Sequence, residues 1–211
     1  MSTAADIEQT GQPGSTEKVD LKKRRFLVAT TSVIGAAGAA AMAVPFLSSF
    51  SPSERARAAG APVEVDLTKV QPGQLLRVEW RGKPVWVVRR TEEMLKLLEK
   101  NEARLRDPDS EVASQQPAYA KNKYRSIKPE FLILVGICTH LGCSPTYRPE
   151  LAPDDLGPEW NGGWYCPCHG SRFDLAGRVF KNVPAPTNLV VPPHYYLSET
   201  KVLVGEEKKE A

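Results

Sequence analysis

An all-β antiparallel sandwich with one inserted helix, standing on a single N-terminal transmembrane helix, is the fold class this sequence predicts, on three patterns. Phe26 to Ser53 is a run of 28 uncharged residues. Val63, Val65 and Leu67 alternate with Glu64 and Asp66, and Leu76, Val78 and Trp80 alternate with Arg77 and Glu79, the period-2 signature of half-buried strands. Phe131 to Ile137 (FLILVGI) is a short continuous apolar run, as a buried strand requires. The 211 residues allow one medium domain with additions, and 41% apolar with 25% charged residues is a globular average. Lys and Arg number 28 against 25 Asp and Glu, a formal charge of +3, so no strongly basic body points to nucleic acid. Residues 1–62 hold 7 of the basic and 5 of the acidic residues, which leaves 21 against 20 in a nearly neutral remainder.

The elements follow in chain order. Met1 to Asp20 is polar and lacks an apolar run that would repay ordering, so it reads as a loose tail. Phe26 to Phe46 as a helix is about 30 Å long, the thickness of a bilayer core. Gly35, Ala36, Gly38, Ala39 and Ala41 suit close packing against other membrane helices. Lys22 to Arg25 precede the span, and the positive-inside rule keeps the N-terminus cytoplasmic and sends the C-terminal body across, into the periplasm of a bacterium. A cleaved signal peptide is the competing reading, although an apolar region of about 7 to 15 residues is its norm. The string Lys23-Arg24-Arg25-Phe26-Leu27 also resembles a twin-arginine export signal, a route for heads that fold before crossing. The expected divisions are a cytoplasmic tail over 1–25, a span over 26–50, a tether over 51–62 (SPSERARAAGAP, coil or helix) and the head over 63–211.

In the head, Arg81-Gly82-Lys83 turns into Pro84 to Arg89, completing a hairpin. Thr91 caps a helix whose first turn carries Glu92 and Glu93 and whose apolar face is Met94, Leu97 and Leu98. Arg106 to Glu130 reads as irregular, its basic run from Lys121 to Lys128 as a solvated face. Ser171 to Phe180, turning at Ala176-Gly177, then Asn188 to Val191 and Lys201 to Val204 read as strands, and Gly205 to Ala211 as a frayed end. His194 reads as a surface or strand-end residue rather than a ligand.

The chemistry lies in two short boxes, Cys138-Thr139-His140-Leu141-Gly142-Cys143 and Cys166-Pro167-Cys168-His169-Gly170-Ser171, each with two cysteines and a histidine. A Cys2His2 zinc site is one assignment, though six candidate ligands exceed one tetrahedral ion and no His-x3-5-His helix exists. A pair of ordinary disulfides is a second, which leaves the histidines without a role. A third uses all six groups: one Cys and one His from each box hold an iron-sulfur cluster, and the other two cysteines bond to each other in an oxidising compartment.

The boxes CTHLGC and CPCHGS resemble those of the Rieske iron-sulfur subunit of the cytochrome bc complex, and the resemblance runs through the whole chain in order to Val183-Pro184-Ala185-Pro186, similar to that family's proline loop. It implies a Rieske-type sandwich with a small cluster-binding subdomain at about 136–183. It also implies Cys138, His140, Cys166 and His169 as ligands of one 2Fe-2S cluster, and a Cys143–Cys168 disulfide. The implied work is to oxidise ubiquinol at the periplasmic side and pass the electron to a membrane-bound c-type cytochrome, with proton translocation, beside cytochrome b in a dimeric complex. His169, then His140, is the quinol-facing ligand on this reading, and Leu141 is the docking tip. A soluble Rieske ferredoxin would lack Cys143, Cys168 and the span; a plastoquinol relative would share both boxes, but the helix and insert between Thr91 and Glu130 favour the ubiquinol branch by resemblance.

These residue types have physical reasons. Two neutral imidazoles in place of two thiolates remove about two negative charges, so the potential rises from about −400 mV into the range of about −150 to +300 mV. Gly142 and Gly170 permit the dihedrals of tight loops, and Pro145 and Pro167 stiffen them. By resemblance Ser171 donates its hydroxyl to a bridging sulfide, and Phe173 stands where high-potential members carry a tyrosine that donates to a ligand cysteine. Phe173→Tyr is therefore expected to raise the midpoint potential, and a redox titration showing no rise in a folded variant refutes that account.

Overall fold

The computed structural model describes residues 20–208, which form two units, residues 20–53 and 54–208. The expected loose tail over 1–20 lies outside the described residues except for Asp20, as does the end of the frayed segment, residues 209–211.

The first unit is dominated by helix α1 (Leu21–Ser49), longer at both ends than Phe26 to Phe46. Asp20 starts it, its carboxylate accepting from the Lys22 and Lys23 amides. All its side chains are exposed, and the helix is long and apolar enough to cross a membrane. Glu54–Ala59 is helical (α2), an outcome the tether composition left open.

The head contains three antiparallel three-stranded sheets. Its strands in chain order are β1 (Val63–Asp66), β2 (Leu75–Trp80), β3 (Lys83–Arg89), β4 (Phe131–Val135), β5 (Thr146–Leu151), β6 (Asn161–Tyr165), β7 (Arg172–Phe173), β8 (His194–Tyr196) and β9 (Lys201–Val204). Helix α3 (Glu92–Asn101) is inserted between β3 and β4 and capped by Thr91, whose hydroxyl accepts from the Met94 amide. The sheets run β1-β9-β8, β2-β3-β4 and β5-β6-β7.

The middle sheet is buried on both sides, and strand alternation explains how. Trp86 and Val88 of β3, with Leu132 and Leu134 of β4, enter one core together with Cys138, Trp164, Cys166 and Phe173. Val85 and Val87, with Phe131 and Ile133, enter the opposite core with Val65, Val202 and Val204. Helix α3 presents Met94 and Leu98 to Leu175 and Ala176, just beyond β7. Trp86 stacks on Trp164 with centroids 5.8 Å apart, joining the middle sheet to the third. Gly136 makes room for it: a Cβ there would lie 2.3 Å from the Trp86 ring.

Three expectations need correction. Asn188 to Val191 is not a strand: Asn188 turns its carbonyl oxygen onto the Val179 amide and its amide group onto Asp107. The basic run is not wholly solvated, because Arg125 is fully buried and donates to four acceptors. Of the two readings of His194 the strand-end one holds and the surface one does not: it begins β8 and is buried, and burial holds its pKa below the usual histidine value. Strands β5, β6 and β8 were missed, since β6 (NGGWY) and β5 (TYRPEL) contain the Gly and Pro residues that ordinarily signal turns.

The Gly pair in β6 has a tertiary cause. A Cβ on Gly163 would meet the Phe173 carbonyl oxygen at 2.0 Å, and its φ is +148°. Gly163→Ala therefore forces β6 and β7 apart and should cost about 3 kcal/mol or more, read as a fall in the thermal midpoint; an unchanged midpoint counts against this packing.

Candidate metal centre

Two loops of the same construction form the site. In the first, the Cys138 amide donates to the Cys143 carbonyl at 2.7 Å and the Gly142 amide to the Cys138 carbonyl at 3.1 Å. In the second, the Cys166 amide donates to the Ser171 carbonyl at 2.8 Å and the Gly170 amide to the Cys166 carbonyl at 2.9 Å. Each loop thus closes its first residue onto its sixth, with the fifth turning left-handed. That turn explains the glycines, at φ +85° for Gly142 and +74° for Gly170. The first loop leaves the end of β4 and the second joins β6 to β7, so sheets two and three aim them.

The side chains converge. Cys138 and Cys166 are buried, unoxidised and in one core with Phe173. The imidazoles of His140 and His169 meet edge to face with centroids 4.8 Å apart, His140 half-buried and His169 exposed. Cys143 and Cys168 form a disulfide. The sulfurs of Cys143, Cys166 and Cys168 lie within 4.8 Å of one another, but two of them are bonded together, so this trio is a disulfide brace beside a candidate ligand.

Burial pushes the Cys138 thiol up; a hydrogen bond with Cys166 adds to the rise, while the His140 amide and the Ser171 hydroxyl oppose it. Two neighbouring buried sulfurs become comfortable as thiolates only beside a cation. The donor set, two thiols on one side and two imidazoles on the other, fits a cluster with two different irons.

A third segment covers the loops. The Ala185 amide donates to the Ser171 hydroxyl oxygen at 3.0 Å, and the Thr139 hydroxyl donates to the Thr187 carbonyl at 2.7 Å. Arg106 donates to the carbonyls of Pro186 and Val183. Pro184 and Pro186 face outward while Ala185 is fully buried. The sequence pointed to the Val183-Pro184-Ala185-Pro186 segment but gave no role to Thr139 or Arg106. Thr139 lies between two candidate ligands, which was the available signal; nothing local marks Arg106. Phe173 is fully buried, and Leu141 is 72% exposed between His140 and Gly142.

The Rieske [2Fe-2S] domain family matches residues 62–193. A second family, described as the ubiquitinol-cytochrome C reductase Fe-S subunit TAT signal, matches residues 14–53. The ubiquinol-cytochrome c reductase iron-sulfur subunit of Allochromatium vinosum is 65% identical over 199 residues, 94% of this chain and 96% of that protein. The chain belongs to the Rieske iron-sulfur subunit family. The corresponding subunit of Blastochloris viridis is 40% identical over 192 residues, 90% of this chain and 97% of that protein. A solved structure described as a hyperthermophilic respiratory complex III has a TM-score of 0.47 and 26% identity, covering 83% of this chain and 98% of that one.

Membership selects a [2Fe-2S] cluster over zinc, and the free Cys138 and Cys166 set aside the two-disulfide reading. It also bears out the twin-arginine resemblance and makes the chain a membrane-anchored subunit of an oxidoreductase complex.

The disulfide closes a 25-residue separation, worth about 3 kcal/mol in the chain-entropy model. Cys168→Ser should release the two loops from each other and reduce the iron and acid-labile sulfide retained per head; full retention would show that the backbone loops suffice.

Proposed function

We propose that this chain is the electron-transfer subunit of a ubiquinol:cytochrome c oxidoreductase, taking electrons one at a time from ubiquinol at the periplasmic side and passing them to a membrane-bound c-type cytochrome. The observation that carries the reading is the pair of matched loops, which bring two buried thiols and two imidazoles together at a tip where His169 and Leu141 face solvent.

Cys138 and Cys166, with His140 and His169, would hold the cluster, the thiolates on one iron and the imidazoles on the other. When bound, such a [2Fe-2S] cluster accepts one electron at about −150 to +300 mV, within reach of a quinol. His169 and His140 are the catalytic residues: the more exposed His169 offers its outer ring nitrogen to a quinol hydroxyl and takes up its proton, so that proton and electron leave together. Proton release on the outer side is this subunit's share of proton translocation. Gly142 and Gly170 keep the loops tight, Ser171 donates toward sulfur, and Phe173 seals the inner side without a donor. Leu141 gives an apolar tip to dock against cytochrome b.

The anchor reading assigns residues 1–25 to the cytoplasm, 26–50 to the bacterial inner membrane and 63–211 to the periplasm, with Lys22 to Arg25 on the inner side. Residues 51–62 form the tether that lets the head serve cytochrome b and the c-type cytochrome in turn, within a dimeric complex.

Electron paramagnetic resonance of dithionite- or ascorbate-reduced membranes tests the whole reading. The expected result is the signal of a reduced [2Fe-2S] cluster whose line shape shifts with a quinol-site inhibitor and which vanishes in either His140→Leu or His169→Leu. A signal that survives both substitutions, or material without inorganic sulfide, sinks it.

A further inference from the structure

Four charged side chains lie inside the head behind the metal centre. Arg90, Arg125 and Arg178 are 2%, 0% and 1% exposed, and Asp174 is 0% exposed. Arg178 pairs with Asp174, its Nε 2.9 Å from Oδ2, and donates to the Leu98 and Pro108 carbonyls. Arg125 donates to the carbonyls of Ala176, Gly177 and Gln115 and to the Gln116 side chain. Arg90 donates to the carbonyls of Pro129, Tyr124 and Leu175 and to the Ser126 hydroxyl. Neutral acceptors take the hydrogen bonds of Arg90 and those of the two terminal Arg125 nitrogens, while the buried Arg125 Nε has no partner, and none of these acceptors cancels the charge.

Three cations therefore face one buried anion. Burial pushes Arg90 down to about 9 and Arg125 to about 10, with Asp174 opposing the fall in both, so both remain charged at pH 7. Asp107, which is partly exposed, and Arg178 also act on Arg125. A buried excess charge is poorly screened by salt and acts over longer distances than a surface charge.

The charges lie close to the ligand loops. Asp174 follows β7 directly and is three residues beyond Ser171, whose carbonyl is bound by the Cys166 amide; three extended residues span about 11 Å at most. The Arg125 guanidinium comes within 3.3 Å of where a Gly177 Cβ would stand, beside Leu134, which shares a core with Cys138.

We propose that Arg90, Arg125 and Arg178, opposed by the buried Asp174 and the partly exposed Asp107, are an electrostatic tuning set that holds the midpoint potential of the cluster up. Added electron density at the loops is stabilised by the excess positive charge behind them. The proposal rests on the cluster assignment above. It sharpens the account of Phe173: a head without a tyrosine donor has a second means of raising its potential, through fixed charge.

The test is potentiometric titration of the resonance signal in membranes containing the full complex. Arg125→Gln should lower the one-electron reduction constant on the order of five- to tenfold, where tenfold is ~59 mV. Asp174→Asn keeps an oxygen for the Ala176 and Arg178 amides and should move the potential the opposite way. Arg125→Lys, which keeps the charge, should remain near wild type, and Arg90→Gln should repeat the fall from another position. Potentials that stay fixed, or that move in one direction for Arg125→Gln and Asp174→Asn alike, overturn the proposal while leaving the cluster assignment intact. Loss of the cluster from every neutral variant, with retention in Arg125→Lys at a shifted potential, assigns these residues to folding and also overturns it. Absence of a cluster signal in the wild type instead defeats the function proposed above.

Discussion

Holding two six-residue loops face to face is the constraint on which the head depends. Each loop is closed by its own pair of backbone hydrogen bonds, but neither bond pair says where the other loop lies. The Cys143–Cys168 disulfide supplies that relation covalently, and the stacking of Trp86 on Trp164 supplies it through packing. Because the loops spring from different sheets, an error in either sheet's register would turn a cysteine or histidine of one box away from those of the other.

The packing behind the loops explains residue choices that look unrelated. Gly136 is small because Trp86 fills its side-chain space, and Gly163 because the Phe173 backbone passes through it. Ser171 has two duties: its oxygen accepts from the Ala185 amide, and its hydroxyl lies toward the Cys138 sulfur. The cover segment is thus fixed to the same residue that faces the Cys138 sulfur, and Thr139 fixes it to the other loop. The middle sheet is apolar on both sides because it separates two cores, a demand that a two-layer sandwich with one wet face would not make.

Exposure is distributed as an electron-transfer head needs it. The thiols are buried, where water and oxidants reach them poorly, while His169 and Leu141 stand at the surface. The insert between β3 and β4 contributes differently: α3 packs on Leu175 and Ala176, and Arg90 and Arg125 reach carbonyls around the β7 turn. An insert that precedes the first box in sequence therefore stiffens the support of the second one.

The sequence alone determined the anchor, the first hairpin, the capped helix, the strand leading into the first box and the two boxes of candidate donors. Each is written locally, as a hydropathy run, a period, a cap or a spacing. Tertiary structure decided what had no local signature. Gly-rich β6 and Pro-bearing β5 are strands because partners pair with them, and Asn188 to Val191 is not, because Asn188 spends its side chain bridging Val179 and Asp107. Arg125 sits in a basic run that looks solvated, yet the fold draws it inward to carbonyls 51 and 52 residues away. Spacing could name the cysteines and histidines, but which side chains share an acceptor, and which charges go unbalanced, depends on contacts between distant segments that no local pattern encodes.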